Sequence, residues 1–383
     1  MKIKSLIYED QSTDWKLEQI DFKPLTLLVG VSGVGKTQIL KALVNLRKIS
    51  RGESINGLNW NIEFSTSAGY EYKWCGEFEN KGFISEILSE MVGDDEKDRP
   101  FIENEKLFIN NELIVDRNRD GIIFNKNKTV KLSQKESVIS LLKEEEQIKD
   151  IYENFKKIIF DDNTGNNFQF ARFGLTDEVK SKSKKYKSLK SIRNSDENIK
   201  TKLCLLHRNQ KKLFQEIVDS FVDIFPYVED IRMETIKDDR RELPIFLSDS
   251  LFVHVKEKNV SHWIDEFKMS SGMLRTLMHI AELYLCADDT VILIDEFENS
   301  LGINCINQIT GSIVASERNL QFIITSHHPY IINDIGFSHW KIVTRKGGKV
   351  KAIDADQFPL DKSKHKAFTQ LANLTEYTEG IES

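Results

Sequence analysis

Cysteine is scarce in this sequence and poorly spaced for joint work. Four thiols, Cys75, Cys204, Cys286 and Cys305, are scattered through 383 residues with no CxxC pair, which argues against a zinc site or a disulfide framework. They read as buried thiols of a reducing compartment. Long hydrophobic runs are missing too: no stretch of about 18 apolar residues occurs, and the opening MKIKSLIYEDQ lacks an apolar h-region, so neither a membrane span nor a signal peptide is expected. The expected location is cytoplasmic, without a membrane partner. Positive charge is not in excess either. A net charge of -6 argues against a protein that coats nucleic acid over its whole surface, though a local basic patch remains open. What remains is a globular composition with length for about two or three domains.

Against this background one stretch carries chemistry, LTLLVGVSGVGKTQILKAL, residues 25 to 43. The spacing Gly30-x-x-x-x-Gly35-Lys36-Thr37 fits a phosphate-cradling P-loop. Leu25 to Val29 reads as a buried strand, and Ile39, Leu40, Leu43 and Leu46 fall on one face of a following helix. A triphosphate needs several converging N–H donors on a tightly curved chain, which Gly30, Gly33 and Gly35 permit and which the backbone of Ser32, Val34 and Gln38 would complete. The helix start adds free N–H groups and its positive dipole end. Lys36 would reach the β- and γ-phosphates and the Thr37 hydroxyl would ligate Mg²⁺.

Around this unit, Ile3 to Tyr8 reads as a leading strand. WNIEFSTSAGYEYKW alternates on both sides of a turn and reads as a hairpin, and EKLFINNELIV, GIIF and TVKL read as further strands. From Ser133 the pattern turns helical. Ile199, Leu203, Leu206, Leu213, Ile217, Phe221 and Ile224 recur at mostly three- and four-residue steps, but heptads are not sustained as an extended coiled coil requires. Residues 179–193 hold seven basic residues and no acidic one. Lys182, Lys184, Lys185, Lys187, Lys190 and Arg193 there could meet a nucleic-acid backbone, with Tyr186 stacking; equally, the run could be a solvated loop that only aids solubility.

Further on, VILIDEFENSL reads as a buried parallel strand that ends in Asp295 and Glu296, the end at which α/β sheets place ligand groups. Asp295 suits the Mg²⁺ shell, and Glu296 suits a water-orienting or general-base role. A second aliphatic strand, LQFIITSHHPYII, ends in His327 and His328. One of these could sense the γ-phosphate, or either could merely cap the loop. Ser270, Ser271 and Gly272 precede an apolar-faced helix, an anion site or an ordinary N-cap.

P-loop, Ser-Ser-Gly, aliphatic-Asp-Glu and Thr-Ser-His in this order resemble the ABC-type ATPase head. The wording DEFENSL and TSHHPYII, with IDFKPLTLLVGVSGVGKTQILKAL and TVKLSQKESVISLL, is similar to its SMC/RecF/OLD-like AAA branch. The resemblance covers roughly residues 1–75, 125–142 and 262–345 and implies an α/β fold: an ABC-type P-loop NTPase head, with a mixed sheet core and an antiparallel β subdomain, carrying a compact helical insertion. Its parts would be an N-terminal ATPase lobe to residue 142, an insertion over 143–260, a C-terminal ATPase lobe over 261–345 and a tail over 346–383. By resemblance, Ser270, Ser271 and Gly272 form the signature, residues 298–301 the D-loop, His327 the switch, and Gln134 is the candidate Q-loop residue and metal neighbour. Ser32 stands where this branch commonly has Asn, and Met273 replaces the polar residue of the transporter signature.

The resemblance implies ATP and Mg²⁺ as ligands, ATP hydrolysis, and a homo-oligomer in which the signature of one protomer faces the P-loop of another. The roughly 230 residues between P-loop and signature are too many for a compact transporter subunit. About forty residues follow the switch, too few for an OLD-type nuclease. The expectation is an ATPase that acts as sensor or scaffold for a separate nuclease or toxin, as in the stand-alone ATPases of bacterial anti-phage systems. Two other readings stay open: a RecF-like DNA clamp, for which DNA is a partner, and an ATP-held structural scaffold.

Overall fold

The computed structural model describes residues 1–82, 98–161, 176–235, 251–299, 310, 311, 313, 318–359 and 364–381. They form two compact units with interleaved sequence, one from residues 1–161, 289–297 and 318–383, the other from 162–288 and 298–317.

The first unit opens with β1 (Lys2–Asp10) and β2 (Trp15–Asp21), an antiparallel pair, followed by β3 (Leu25–Val29) and α1 (Lys36–Ser50). The expected hairpin forms as β4 (Leu58–Ser65) and β5 (Glu71–Phe78). An antiparallel wing continues through β6 (Ile102–Ile109), β7 (Glu112–Asn118), β8 (Gly121–Phe124) and β9 (Asn127–Lys128). Asn110 and Asn111 turn the β6–β7 hairpin with positive φ, which asparagine tolerates better than most side chains. The alternation in β4 and β5 turns Trp60, Phe64, Tyr72 and Trp74 to one buried face, where Trp60 meets Trp74 edge-on at 5.2 Å. Phe155 of α2 (Glu146–Phe155) closes on Phe64 and Trp74, both at 5.3 Å. Such pairs add about 0.5–1.5 kcal/mol each beyond area burial.

TVKL, expected as a strand, is not one. The ladder stops after the two residues of β9, Val130 is 79% exposed, and the chain from Ser133 is pinned elsewhere. The pin is the buried pair Arg117 and Glu105. Arg117 donates to the carbonyls of Ser133 and Glu136, while Glu105 accepts from Arg117 (3.3 Å), Trp74 Nε1 (2.8 Å) and the Val138 amide (2.9 Å). After α2 the chain enters β10 (Ile158–Asp161).

The second unit holds α3 (Thr176–Lys185), a short helix Leu189–Arg193, α4 (Ile199–Asn209) and α5 (Lys211–Ile224). The periodicity from Ile199 to Ile224 suggested one amphipathic helix; it is two, because Gln210 (φ -139°, ψ 59°) leaves the helical region. Phe214 is buried in α5 where the three- and four-residue steps had Leu213. Strands also occur here: β11 (Val228–Thr235), β12 (Leu251–Glu257) and β13 (Ile264–Asp265) form an antiparallel sheet. α6 (Ser271–Leu285) packs on α4 and α5, and its Leu277, Met278 and Ala281 are buried. Lys200 pairs with Glu266, both buried, and Glu266 also accepts from the Val253 amide. Burial pushes the Cys204 thiol up to about 12, an inert core thiol. Cys286 is buried as well, Cys75 is half-buried, and Cys305 lies outside the described residues.

The chain returns to the first unit in β14 (Val291–Ile294), β15 (Gln321–Thr325), α7 (Pro329–Ile335), β16 (Trp340–Lys346) and β17 (Lys349–Asp354). The sheet order is β10-β14-β15-β3-β16-β17-β2-β1-β4-β5-β6-β7-β8-β9. β10, β14, β15, β3 and β16 run parallel. β3, β14 and β15 are buried at every position, as strands covered on both faces require.

Candidate nucleotide site

Because β3, β14 and β15 are parallel and adjacent, their carboxyl ends deliver the P-loop, Asp295-Glu296 and Ser326-His327 to the same edge. A cleft of about 310 Å³ lies there, lined by Ser32, Gly33, Gly35, Lys36, Thr37 and Gln38 of the loop and helix start, Asp295 and Glu296, Thr325 and His327, and Arg345.

The glycines act where the backbone demands them. Gly30 has φ 147°, and a Cβ there would come within 2.7 Å of the Val343 carbonyl on β16. Gly35, the N-cap of α1, has φ 105°. Lys36 is buried, and its ammonium donates to the carbonyls of Gly30 and Val31, each at 2.8 Å. Val34 is buried and is not among the residues that line the cleft.

Opposite the loop, Asp295 Oδ1 accepts from the Thr37 hydroxyl (3.1 Å) and the Thr325 hydroxyl (2.6 Å). Thr325 in turn accepts the Glu296 amide (2.7 Å) and its carbonyl the Phe297 amide (3.0 Å). These bonds hold Glu296 at φ 45°, a left-handed conformation that costs a non-glycine residue on the order of 1 kcal/mol and here presents its side chain to the cleft. Phe297 is fully buried and anchors the turn. Among the described residues no cluster of three or more His, Cys, Asp or Glu exists. The hydroxyl and carboxylate pair of Thr37 and Asp295 suits a hard cation that takes its other ligands from phosphate and water.

The two histidines separate by role. His328 Nδ1 accepts the Tyr330 amide (3.3 Å) and caps α7, whereas His327 lines the cleft. Ser270 Oγ accepts the Met273 amide and caps α6; Ser271 is exposed at the first turn beside Gly272. Gln134 is outside the cleft: its side chain donates to the Arg119 carbonyl and its own carbonyl accepts the Ile102 amide. Of the D-loop, Glu298 and Asn299 are described and residues 300–301 lie outside the described residues.

Three features escaped the sequence. Arg345 lines the cleft and donates to the Gly33 carbonyl (3.3 Å), 312 positions away in the chain, so no local spacing signals it. A neighbouring pocket of about 220 Å³ is walled by Tyr8, Asp10, Thr13 and Trp15 on one side and Gln38, Lys41 and Asn45 on α1. Trp15 Nε1 itself is buried and has no hydrogen-bond partner among the described residues. The carboxyl-terminal segment also reaches the loop: Gly380 accepts the Arg345 amide (2.7 Å), and a Cβ on it would meet Val34 at 2.5 Å.

Residues 25–333 match the family described as "AAA domain, putative AbiEii toxin, Type IV TA system". No curated protein matches the chain. Among solved structures it is similar to the SMC head bound to the C-winged helix domain of ScpA, at 13% identity and TM-score 0.55 over 92% of this chain and 98% of that one. It is also similar to the Smc head with an extended coiled coil, bound to the C-terminal domain of ScpA, from Pyrococcus furiosus (12% identity, 97% and 99% coverage, TM-score 0.48). The SMC head domain from Thermotoga maritima gives 11%, 92% and 99%, and 0.43. The first of these likenesses bears out the expected fold class, a mixed α/β P-loop NTPase head. With the family profile covering most of the sequence, the chain belongs to this AAA family, and its fold is that of a P-loop NTPase head similar to the SMC head.

Proposed function

We propose that this chain binds ATP with Mg²⁺ in the cleft and hydrolyses it, and that ATP-dependent pairing of two or more copies controls a separate effector protein. The observation that carries the nucleotide reading is the convergence of Lys36, Thr37, Asp295, Glu296 and His327 from three adjacent strand ends onto one cleft. When bound, Mg²⁺ supplies positive charge to the phosphate oxygens; Thr37 and Asp295 would hold it. Lys36 leaves the carbonyls of Gly30 and Val31 for the β- and γ-phosphates, and the loop amides grip the remaining oxygens. Glu296 orients and deprotonates the attacking water, and His327 contacts the γ-phosphate. The pocket between β1–β2 and α1, lined by Tyr8 and Trp15, takes the nucleoside.

Ser270, Ser271 and Gly272 of one protomer would complete the P-loop site of another, so the resting monomer turns over slowly. The family description names a toxin and a toxin–antitoxin system. With the motif wording similar to the SMC/RecF/OLD-like branch, whose stand-alone ATPases resemble anti-phage subunits, it supports a cytoplasmic sensor or scaffold role whose partner is a nuclease or toxin. The test is Glu296→Gln, which keeps the shape but removes the base. Turnover should fall by about 10²- to 10⁴-fold with near-normal ATP affinity, and light scattering should show a larger mass that persists with ATP. A variant that turns over at the wild-type rate overturns the assignment of Glu296, and loss of ATP binding would make it a residue of the fold or metal shell.

A further inference from the structure

The basic stretch of residues 179–193 is a built surface. It comprises α3, a turn and the short helix Leu189–Arg193, which starts with a reciprocal Ser188–Ser191 capping box. Asn209 Nδ2 donates to the carbonyls of Ser183 (3.0 Å) and Tyr186 (2.8 Å), and its Oδ1 accepts the Ser183 hydroxyl (2.6 Å). Gln210 Nε2 donates to the Lys187 carbonyl (2.9 Å). These four bonds dock the stretch onto the α4–α5 junction, which carries Arg208, Lys211 and Lys212.

Two basic segments about twenty residues apart in sequence thus meet. Lys184, Lys185, Lys187, Arg208, Lys211 and Lys212 are all exposed, and among the described residues none takes part in an ion pair. The acidic groups nearby are partly engaged: Lys182 pairs with Glu197 (2.7 Å) and Arg232 with Glu234 (3.1 Å). Asp230 and Glu234 face His207, which burial, and then Lys211, hold below its usual value. Six cations without an ion pair among the described residues, on a hydrogen-bonded scaffold in a chain of net charge -6, concentrate positive potential at one place.

We propose that this surface binds double-helical nucleic acid through its phosphate backbone, without base readout. The chemistry favours a duplex over a single strand, because the aromatic at hand, Tyr186, is half-buried beneath Lys185 (4.9 Å to the ring) and offers no open platform for a base. It also favours nucleic acid over a lipid surface, since Val179 and Ile192 are fully buried and no apolar face remains to enter a bilayer. The inference is independent of nucleotide hydrolysis.

The test is binding of the full chain to a labelled DNA duplex of about 30 base pairs and arbitrary sequence, titrated between about 50 and 200 mM salt. A triple variant Lys184→Gln, Lys185→Gln, Lys187→Gln should bind more weakly and flatten the log–log salt slope by roughly two to three, at about 0.9 for each phosphate no longer neutralised. Lys211→Gln with Lys212→Gln, from the other segment, should flatten it as well. All five positions are exposed, so circular dichroism should be unchanged. A salt slope unchanged in either set overturns the proposal, as does wild-type binding to phosphatidylserine vesicles that competes with the duplex and is lost in the same variants.

Discussion

Lys36 already has two partners in the structure, the carbonyls of Gly30 and Val31, so nucleotide must draw its ammonium off the loop rather than find it waiting. Bonds to a charged donor contribute about 1.5–3 kcal/mol, and the phosphates must exceed that. Lys36→Ala therefore removes both the loop's brace and the only mobile cation built into the phosphate loop. The expected outcome is loss of ATP binding by calorimetry with the thermal transition of the protein retained; tight ATP binding in this variant would refute the P-loop assignment. At this scale the sequence was most informative. Gly30, Gly35, Lys36, Thr37, Asp295 and Glu296 announce themselves because their roles depend on local spacing or on a strand end. Arg345 and Trp15 were silent, because they reach the site through β16 beside β3 and through the tip of the β1–β2 hairpin, and strand order is not written in any local pattern.

Among elements, hydrophobic alternation located β4 and β5 well, since a half-buried antiparallel strand must alternate. It failed for TVKL, where alternation was present but no neighbouring strand was, and at Gln210, where a break without proline or glycine splits one periodic run into α4 and α5. The segment after β9 is held by Arg117 and Glu105 instead of a ladder, and both are buried to within 2% of full burial. Burial raises the Glu105 carboxyl, while Arg117 and three N–H donors, Arg117's among them, act in the opposite direction. Arg117→Met leaves that carboxylate buried without its counter-charge and frees the carbonyls of Ser133 and Glu136. A loss of about 3–5 kcal/mol in urea unfolding is expected, with early proteolysis near residues 133–138. The double variant with Glu105→Gln should recover part of that loss; failure to recover any would place the cost in the freed carbonyls rather than in the orphaned charge.

For the whole molecule the proposed composite site is a surface that a single chain would not complete. Ser271 is exposed at the first turn of α6, so Ser271→Arg disturbs no core packing, and an arginine there costs the helix only about 0.3–1 kcal/mol through the dipole. If the signature of one copy serves the P-loop of another, this variant should bind ATP as a monomer with normal affinity yet lose hydrolysis, because the bulk and charge intrude only on docking. Lys36→Ala should be inactive for the opposite reason. Mixing the two then restores one composite site per mixed pair, the intact P-loop of the Ser271→Arg copy facing the intact signature of the Lys36→Ala copy. For random two-fold pairing half the pairs are mixed and each holds one working site, so a recovery on the order of a quarter of wild-type turnover is expected. Activity that never rises at any mixing ratio would sink the model of independent composite sites. Hydrolysis by Ser271→Arg alone at the wild-type rate would show that the cleft of one copy is sufficient by itself.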